Sequence, residues 1–305
     1  MNAHAQRSPS PQRPDGLQVW IQAARPATLP LSAAPVLMGA AFGLIDEVFD
    51  AVAVFFALWV AIFIQIGTNI ANDYFDFKKG ADTEDRLGPA RVTQQGWAAP
   101  QTVLLAAILC FLLAFMGGLV LVAKAGMVLL AVGIVSILAG AWYTGGPMPL
   151  AYTGLSDIFV VIFFGPVAVL GTYYAQAQEL SFPVAIASLA LGLIATAVLV
   201  VNNLRDRTTD VVANKRTMVV RFGRTFGEIE HAFCLLAPFV ATVVGVLVGW
   251  FTWGALLSLI LLPLAFKEIQ AVQAKDGADL NPHLAGSARL AVLFSLLFSV
   301  GILIV

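Results

Sequence analysis

AVAVFFALWVAIFIQIGTNIANDYFDFKKG, residues 51–80, decides the fold. Residues 51–72 carry no charge, and about 20 mostly apolar residues suffice for one helical membrane crossing. Polar residues then enter on one side only. At 3.6 residues per turn, Asn69, Asn72, Asp73 and Asp76 share an arc of about 100°. An apolar helix that ends in an acidic stripe predicts a transmembrane segment delivering carboxylates to one membrane surface.

The rest of the chain agrees with that reading. Of 305 residues, 59% are apolar and 11% charged, against about 25% charged in an average soluble domain. The 21 Phe and 6 Trp exclude a disordered chain. With 17 Lys and Arg matched by 18 Asp and Glu, there is no basic excess for nucleic acid. Cys110 and Cys234 lie in apolar runs and read as small buried hydrophobes rather than a disulfide or a metal pair. His4, His231 and His283 have no spaced partner.

Charge-free intervals predict an all-α integral membrane protein with nine transmembrane helices, near 27–45, 51–72, 102–123, 126–143, 158–176, 182–203, 232–249, 252–266 and 289–305. Basic residues fall on alternate sides of that ladder. Sixteen of the 17 lie in the amino-terminal tail or in the second, sixth and eighth loops, and only Lys124 lies opposite. Because Lys and Arg favour cytoplasmic loops, the amino terminus is expected in the cytoplasm and the carboxyl terminus across the membrane. Residues 1–18, rich in Ser, Pro and Gln, read as a disordered cytoplasmic tail, and 19–305 as one transmembrane domain. No cleavable signal peptide is expected, because no small-residue cleavage site closes the first span.

A second acidic stripe repeats the first. Asn202, Asn203, Asp206 and Asp210 also fall within about 100° of one another. A shift of 130 positions lays Asn72 on Asn202, Asp73 on Asn203 and Asp76 on Asp206, a weak internal duplication. Carboxylates crowded at a membrane boundary repel and lose hydration unless something positive sits between them. Oxygen donors without His or Cys fit magnesium, which bridges one or two carboxylates to substrate phosphates. Lys78, Lys79, Arg86 and Arg91 follow the first stripe and Arg205, Lys215 and Arg216 the second, and such groups can fork onto phosphate oxygens. A diphosphate held above apolar helices suggests a lipid tail among them, the shape of a polyprenyl diphosphate. Aromatic side chains near helix ends (Tyr74, Phe75, Trp142, Tyr143, Phe163, Phe164, Tyr173, Tyr174) are available to face an allylic cation, although most such rings belong to an interfacial belt or the core.

NDYFDFKKGADTEDRLGPARVTQQG (72–96) and NNLRDRTTDVVANKRTMVVRFG (202–223) resemble the two signature regions of the membrane-embedded aromatic prenyltransferases, the UbiA superfamily. ARPATLPLSAAPVLMG (24–39), YTGGPMPLAYTGLSD (143–157) and LAGSARL (284–290) resemble its branch that acts on 1,4-dihydroxy-2-naphthoate in menaquinone synthesis. The resemblance spans residues 20–305. It implies nine helices around a central cavity in the cell (inner) membrane, magnesium as cofactor, and transfer of a polyprenyl chain from its diphosphate to the naphthoate, with loss of carbon dioxide, to give demethylmenaquinone. By motif match, Asn72, Asp73, Asp76, Asn202, Asp206 and Asp210 would hold the diphosphate through magnesium, with Asp82 as a further ligand or acceptor contact. Lys215 and Arg216 would contact phosphate oxygens, Arg91 would face the acceptor carboxylate, and Tyr143 would border the cation. The lysine that follows the corresponding tyrosine in some ubiquinone-pathway members is missing after Tyr143. Two alternatives stay open: the same chemistry on 4-hydroxybenzoate, homogentisate or a tetrapyrrole, and, from another class, a cation-coupled transporter, which would place its acids nearer the bilayer midplane.

Overall fold

The computed structural model describes residues 14–81 and 87–304, and the described residues form helices without a strand. In chain order these are α1 (Gly16–Ala24), α2 (Leu29–Ile45), α3 (Ala51–Lys78), α4 (Pro100–Ala125), α5 (Met127–Trp142), α6 (Leu150–Thr153), α7 (Ser156–Ile162), α8 (Ala168–Ala177), α9 (Phe182–Arg205), α10 (Arg207–Val212), α11 (Met218–Phe222), α12 (Arg224–Leu247), α13 (Leu262–Ala274) and α14 (Asn281–Leu303). Eight described segments are long and apolar enough to cross a membrane, and α5 is apolar but only 16 residues long, so the expected count of nine is matched approximately. The expected multi-pass helical architecture is therefore present.

Several expected boundaries move. The stretch 16–18, assigned to a disordered tail, opens α1, whose Val19 and Ala23 pack with Ile70, Val92 and Trp97. The last helix begins at Asn281 rather than 289, because Arg289 stays exposed on its outer face and a single outward charge does not end a helix. α3 runs six residues past 72, carrying its acidic stripe as continuous helix. The span expected at 158–176 is α7 and α8 joined by a π turn at Phe163–Val167 that contains Pro166. Proline lacks the N–H that would continue the ladder, and the wider turn absorbs the lost bond. The span expected at 252–266 starts as a 3-10 segment, Trp253–Leu261, before α13.

α9 is the hub. It touches α2, α7, α8, α12 and α14, and most of its residues are buried, with Phe182 and Leu189 left exposed. Lipid tails are as apolar as leucine, so helices in a bilayer associate by close packing of small residues. Gly165 and Gly192 meet where the π turn crosses α9, and a Cβ on Gly192 would strike the Val161 carbonyl. On the side away from the acidic stripes, Asp50 caps α3 by accepting from Val52 N (2.9 Å) and Ala53 N (3.0 Å), and it pairs with Lys124 at 2.5 Å. Tyr173, buried there, donates its hydroxyl to Asp46 at 2.6 Å. That aromatic side chain is therefore remote from the acidic ends it was considered for.

Candidate active site

α3 and α9 bring their acidic ends to the same place. Asn69, Asn72 and Asp76 from α3 line one cavity together with Asn202 and Asn203 from α9 and Asp206 and Asp210 just beyond it. The cavity measures about 430 Å³. Both Asp76 and Ala57 line it, nineteen residues apart on α3, so at 1.5 Å per residue it reaches about 28 Å along the helix. One end is polar, and the remainder is walled by residues such as Val60, Leu121, Leu129, Phe159 and Phe163. Phe159 and Phe163 stack at 5.7 Å between centroids, and the π turn puts Phe163 and Phe164 into the wall.

The first cluster is tied to two loops. Asp76, buried, accepts from Arg91 Nη2 at 3.2 Å on Oδ2 and from the Tyr152 hydroxyl at 3.2 Å on Oδ1. Asn72 Oδ1 accepts from the Thr144 hydroxyl at 2.6 Å, and Lys79 donates to the Thr144 carbonyl at 2.5 Å. Asp73 faces elsewhere. Its two carboxylate oxygens accept from the backbone N–H groups of Val92 and Thr93, each at 2.8 Å, and it does not line the cavity. Its place is to hold the loop that carries Arg91.

The second cluster is held by Arg205, itself buried. The guanidinium forks onto Asp206 at 2.8 and 2.6 Å and donates to Asn202 Oδ1 at 2.8 Å and Asn281 Oδ1 at 3.0 Å. Asn281 in turn donates to the Leu87 carbonyl at 3.0 Å, so the start of α14 clips the first acidic loop to the second motif. Asn203 donates to Asp157 at 3.4 Å. Lys215 reaches across to Asp76, Nζ to Oδ1 3.9 Å. Burial pushes the Asp210 carboxyl up to about 7; the Lys215 ammonium opposes the rise, and Asp206 and Asp76 add to it. Burial also lowers the Lys79 ammonium from its usual value, with Asp76 opposing and Lys215 adding to the fall.

Of the expected site residues, Asn72, Asp76, Arg91, Tyr143, Asn202, Asp206, Asp210 and Lys215 line the cavity. Arg216 does not: it is exposed, and its backbone N–H donates to the Tyr152 carbonyl while Lys215, one position earlier, turns inward. Asp82 lies outside the described residues. Sequence reading passed over Arg25, Thr144 and Tyr152. Arg25 lines the cavity from a left-handed turn (φ 52°) between α1 and Pro26. Tyr152 stands inside the quoted segment 143–157, but nothing in its spacing tied it to Asp76.

The donors that face the cavity are carboxylate and amide oxygens, which suit a hard divalent cation. Among the described residues no three acidic, His or Cys side chains converge as a ready cage. Such an open set fits magnesium, which keeps waters and takes further oxygens from substrate phosphates.

A bundle of apolar, membrane-crossing helices with two acidic helix ends over one largely apolar cavity is the class of protein that the fold and the site define. The family model described as the UbiA prenyltransferase family matches residues 32–300, and the chain belongs to that family. It is a prenyltransferase. Among curated relatives, the 1,4-dihydroxy-2-naphthoate octaprenyltransferase of Haemophilus influenzae is 35% identical over 94% of this chain and 96% of its own length. The Escherichia coli enzyme of the same name is 38% identical over 93% and 95%, and that of Mycobacterium tuberculosis 39% over 91% and 94%. A solved UbiA homolog from Archaeoglobus fulgidus, bound to DMAPP and Mg2+, shares the fold with a TM-score of 0.66 at 14% identity, covering 92% of this chain and 99% of that one. Family membership sets the transporter alternative aside.

Proposed function

We propose that this enzyme transfers a polyprenyl chain from polyprenyl diphosphate to 1,4-dihydroxy-2-naphthoate, releasing diphosphate and carbon dioxide and giving demethylmenaquinol, the hydroquinone that a separate two-electron oxidation converts to demethylmenaquinone. One observation carries the reading: Asn72 and Asp76 share one polar cavity end with Asn202, Asp206 and Asp210, above a long apolar wall. The names of the relatives from three bacteria support the choice of acceptor.

Those five side chains would hold magnesium, which would supply positive charge to the departing diphosphate. Lys215 adds a cation at the same end, and Asp82 stands as a further ligand by its motif position. Arg25 and Arg91 line the polar end and offer positive charge to the acceptor carboxylate. Below, the apolar wall keeps water from the allylic cation, and the faces of Tyr143, Phe159 and Phe163 attract positive charge without adding to it chemically. The dihydroxy ring is electron-rich and attacks at the carbon bearing the carboxylate. Loss of carbon dioxide then restores the aromatic ring, so no base is required of the protein. The Lys and Arg distribution supports a site at the cytoplasmic face of the cell (inner) membrane.

The test is purified protein, one radiolabelled prenyl diphosphate and a panel of acceptors with and without magnesium. Turnover of the naphthoate alone, abolished by chelator, is expected. Transfer to 4-hydroxybenzoate, homogentisate or a tetrapyrrole but not to the naphthoate would replace the assignment. Asp76→Asn is expected to lower transfer at least about a hundredfold, the scale on which a charge acting at the reacting group counts, while leaving the protein folded.

A further inference from the structure

Tyr152 belongs to neither acidic helix, yet both halves of the site meet on it. It lies on α6, in the segment between α5 and α7. Its carbonyl accepts from Arg216 N at 3.1 Å, and the neighbouring Thr153 carbonyl accepts from Arg221 at 2.7 Å, which fastens the segment to the second motif. The Thr144 contacts with Asn72 and Lys79 fasten it to the first. Its hydroxyl donates to Asp76 Oδ1. The Lys79 ammonium lies 4.7 Å from the ring centroid and the Lys215 ammonium 5.0 Å.

These distances separate an acid from a base. Lys215 Nζ stands 3.9 Å from Asp76 Oδ1, outside hydrogen-bond range, while the phenol holds that same oxygen at 3.2 Å. The ring face gives the ammonium an alternative seat within the reach of a cation–π contact. Without that arrangement a lysine this near a buried carboxylate would close to a direct bridge of about 2.8 Å. Such a bridge satisfies both partners and leaves the carboxylate weaker toward a metal and the ammonium weaker toward a phosphate.

We propose that Tyr152 is a positioning residue that keeps Lys215 off Asp76: the hydroxyl occupies the oxygen the lysine would take, and the ring seats Lys215 and Lys79 beside the cavity. With Oδ2 already on Arg91, the carboxylate thereby keeps the remaining lone pair of Oδ1 for a divalent cation, and the lysines stay available to phosphate oxygens. The inference rests on the reading of this cavity end as a cation and diphosphate site.

The test is a double-mutant cycle on the full chain in detergent, with binding of Mn2+, a paramagnetic stand-in for magnesium, measured by electron paramagnetic resonance. Tyr152→Phe removes one oxygen and keeps the ring. It is expected to weaken Mn2+ about tenfold, a coupling of the size contacting charged neighbours show, and to raise KM for geranyl diphosphate more than it lowers kcat. In a Lys215→Gln background, where Lys215 can no longer close on Asp76 and Lys79 stays bonded to the Thr144 carbonyl, the same change is expected to leave Mn2+ affinity within about twofold. An equal weakening in both backgrounds, or none in either, overturns the proposal, since a packing role does not depend on Lys215. Transfer assays on the unmodified protein run alongside. Their failure would remove the functional reading, while the Mn2+ cycle would still decide what Tyr152 does.

Discussion

Asp73 and Asp76 lie one turn apart on α3, and their partners divide their work. Asp76 looks into the cavity; Asp73 accepts two backbone N–H groups from the loop that brings Arg91 to the site. Asp73→Ala would leave the amides of Val92 and Thr93 without acceptors inside the protein, at about 1–3 kcal/mol for each buried group. The expected outcome is faster proteolytic cleavage in the 87–97 loop and a lower melting temperature, with Mn2+ affinity reduced far less than in Asp76→Asn. Equal loss of Mn2+ binding in the two variants would return Asp73 to the ligand set. Asp210 supplies a pH-dependent case. Its carboxyl is raised from 3.8 to about 7 by burial, so the folded protein binds this proton more tightly than the unfolded chain does. Stability is lost as pH rises from about 4 to 7 and the folded protein must hold an increasingly ionised group. Asp210→Asn is therefore expected to raise the melting temperature of metal-free protein at pH 8 and to change it little at pH 4. A stabilisation confined to pH 4 would contradict the assigned environment.

At the scale of elements, the bend between α7 and α8 shapes the cavity wall. The span from Ser156 to Ala177 cannot stay a straight α-helix through Pro166, and the π turn brings Phe163 and Phe164 to the wall while Gly165 lies against α9. Gly192 makes that crossing possible, because a methyl group there would press on the Val161 carbonyl, which as backbone cannot swing aside. Gly192→Ala is expected to destabilise the bundle by about 1–3 kcal/mol through overpacking, read as a lower midpoint in unfolding by denaturing detergent. An unchanged midpoint would mean the crossing is looser than described. The segment 143–156 and the start of α14 act in the same way on the polar end. Each is short, and each carries a residue (Tyr152, Asn281) that bridges the motif from α3 and the motif from α9.

Taken as a whole, the molecule is a bundle whose cavity runs along most of a membrane span. The reach of about 28 Å from Asp76 to Ala57 compares with a hydrocarbon core of about 30 Å, so its depth bears on which prenyl chains are accepted. Gly118 lines the deep part, and a Cβ there would meet Val60 only at 4.0 Å, leaving room for a larger group. Gly118→Phe is expected to lower transfer from octaprenyl diphosphate about tenfold or more relative to transfer from geranyl diphosphate, since filling the deep cavity costs only the longer chain its contacts. Equal loss with both donors would show that the lipid tail lies elsewhere.

The amino-acid sequence by itself determined that the chain crosses a membrane repeatedly and that two of its helices end in acidic faces, because hydropathy and the 3.6-residue period are local properties of one segment. It also carried the family's signature regions, and with them Asn72, Asp76, Asn202, Asp206, Asp210 and Lys215. Only the tertiary structure decided which members of each arc reach the shared cavity. Asp73 and Arg216 have the right residue type and neighbours, yet one is claimed by amides 19 and 20 positions away and the other stays exposed. Tyr152 and Asn281 joined the site because segments 76 and 194 positions from their contacts were folded onto it. A helix fixes the direction of a side chain, but what stands opposite it is chosen by the packing of the whole chain.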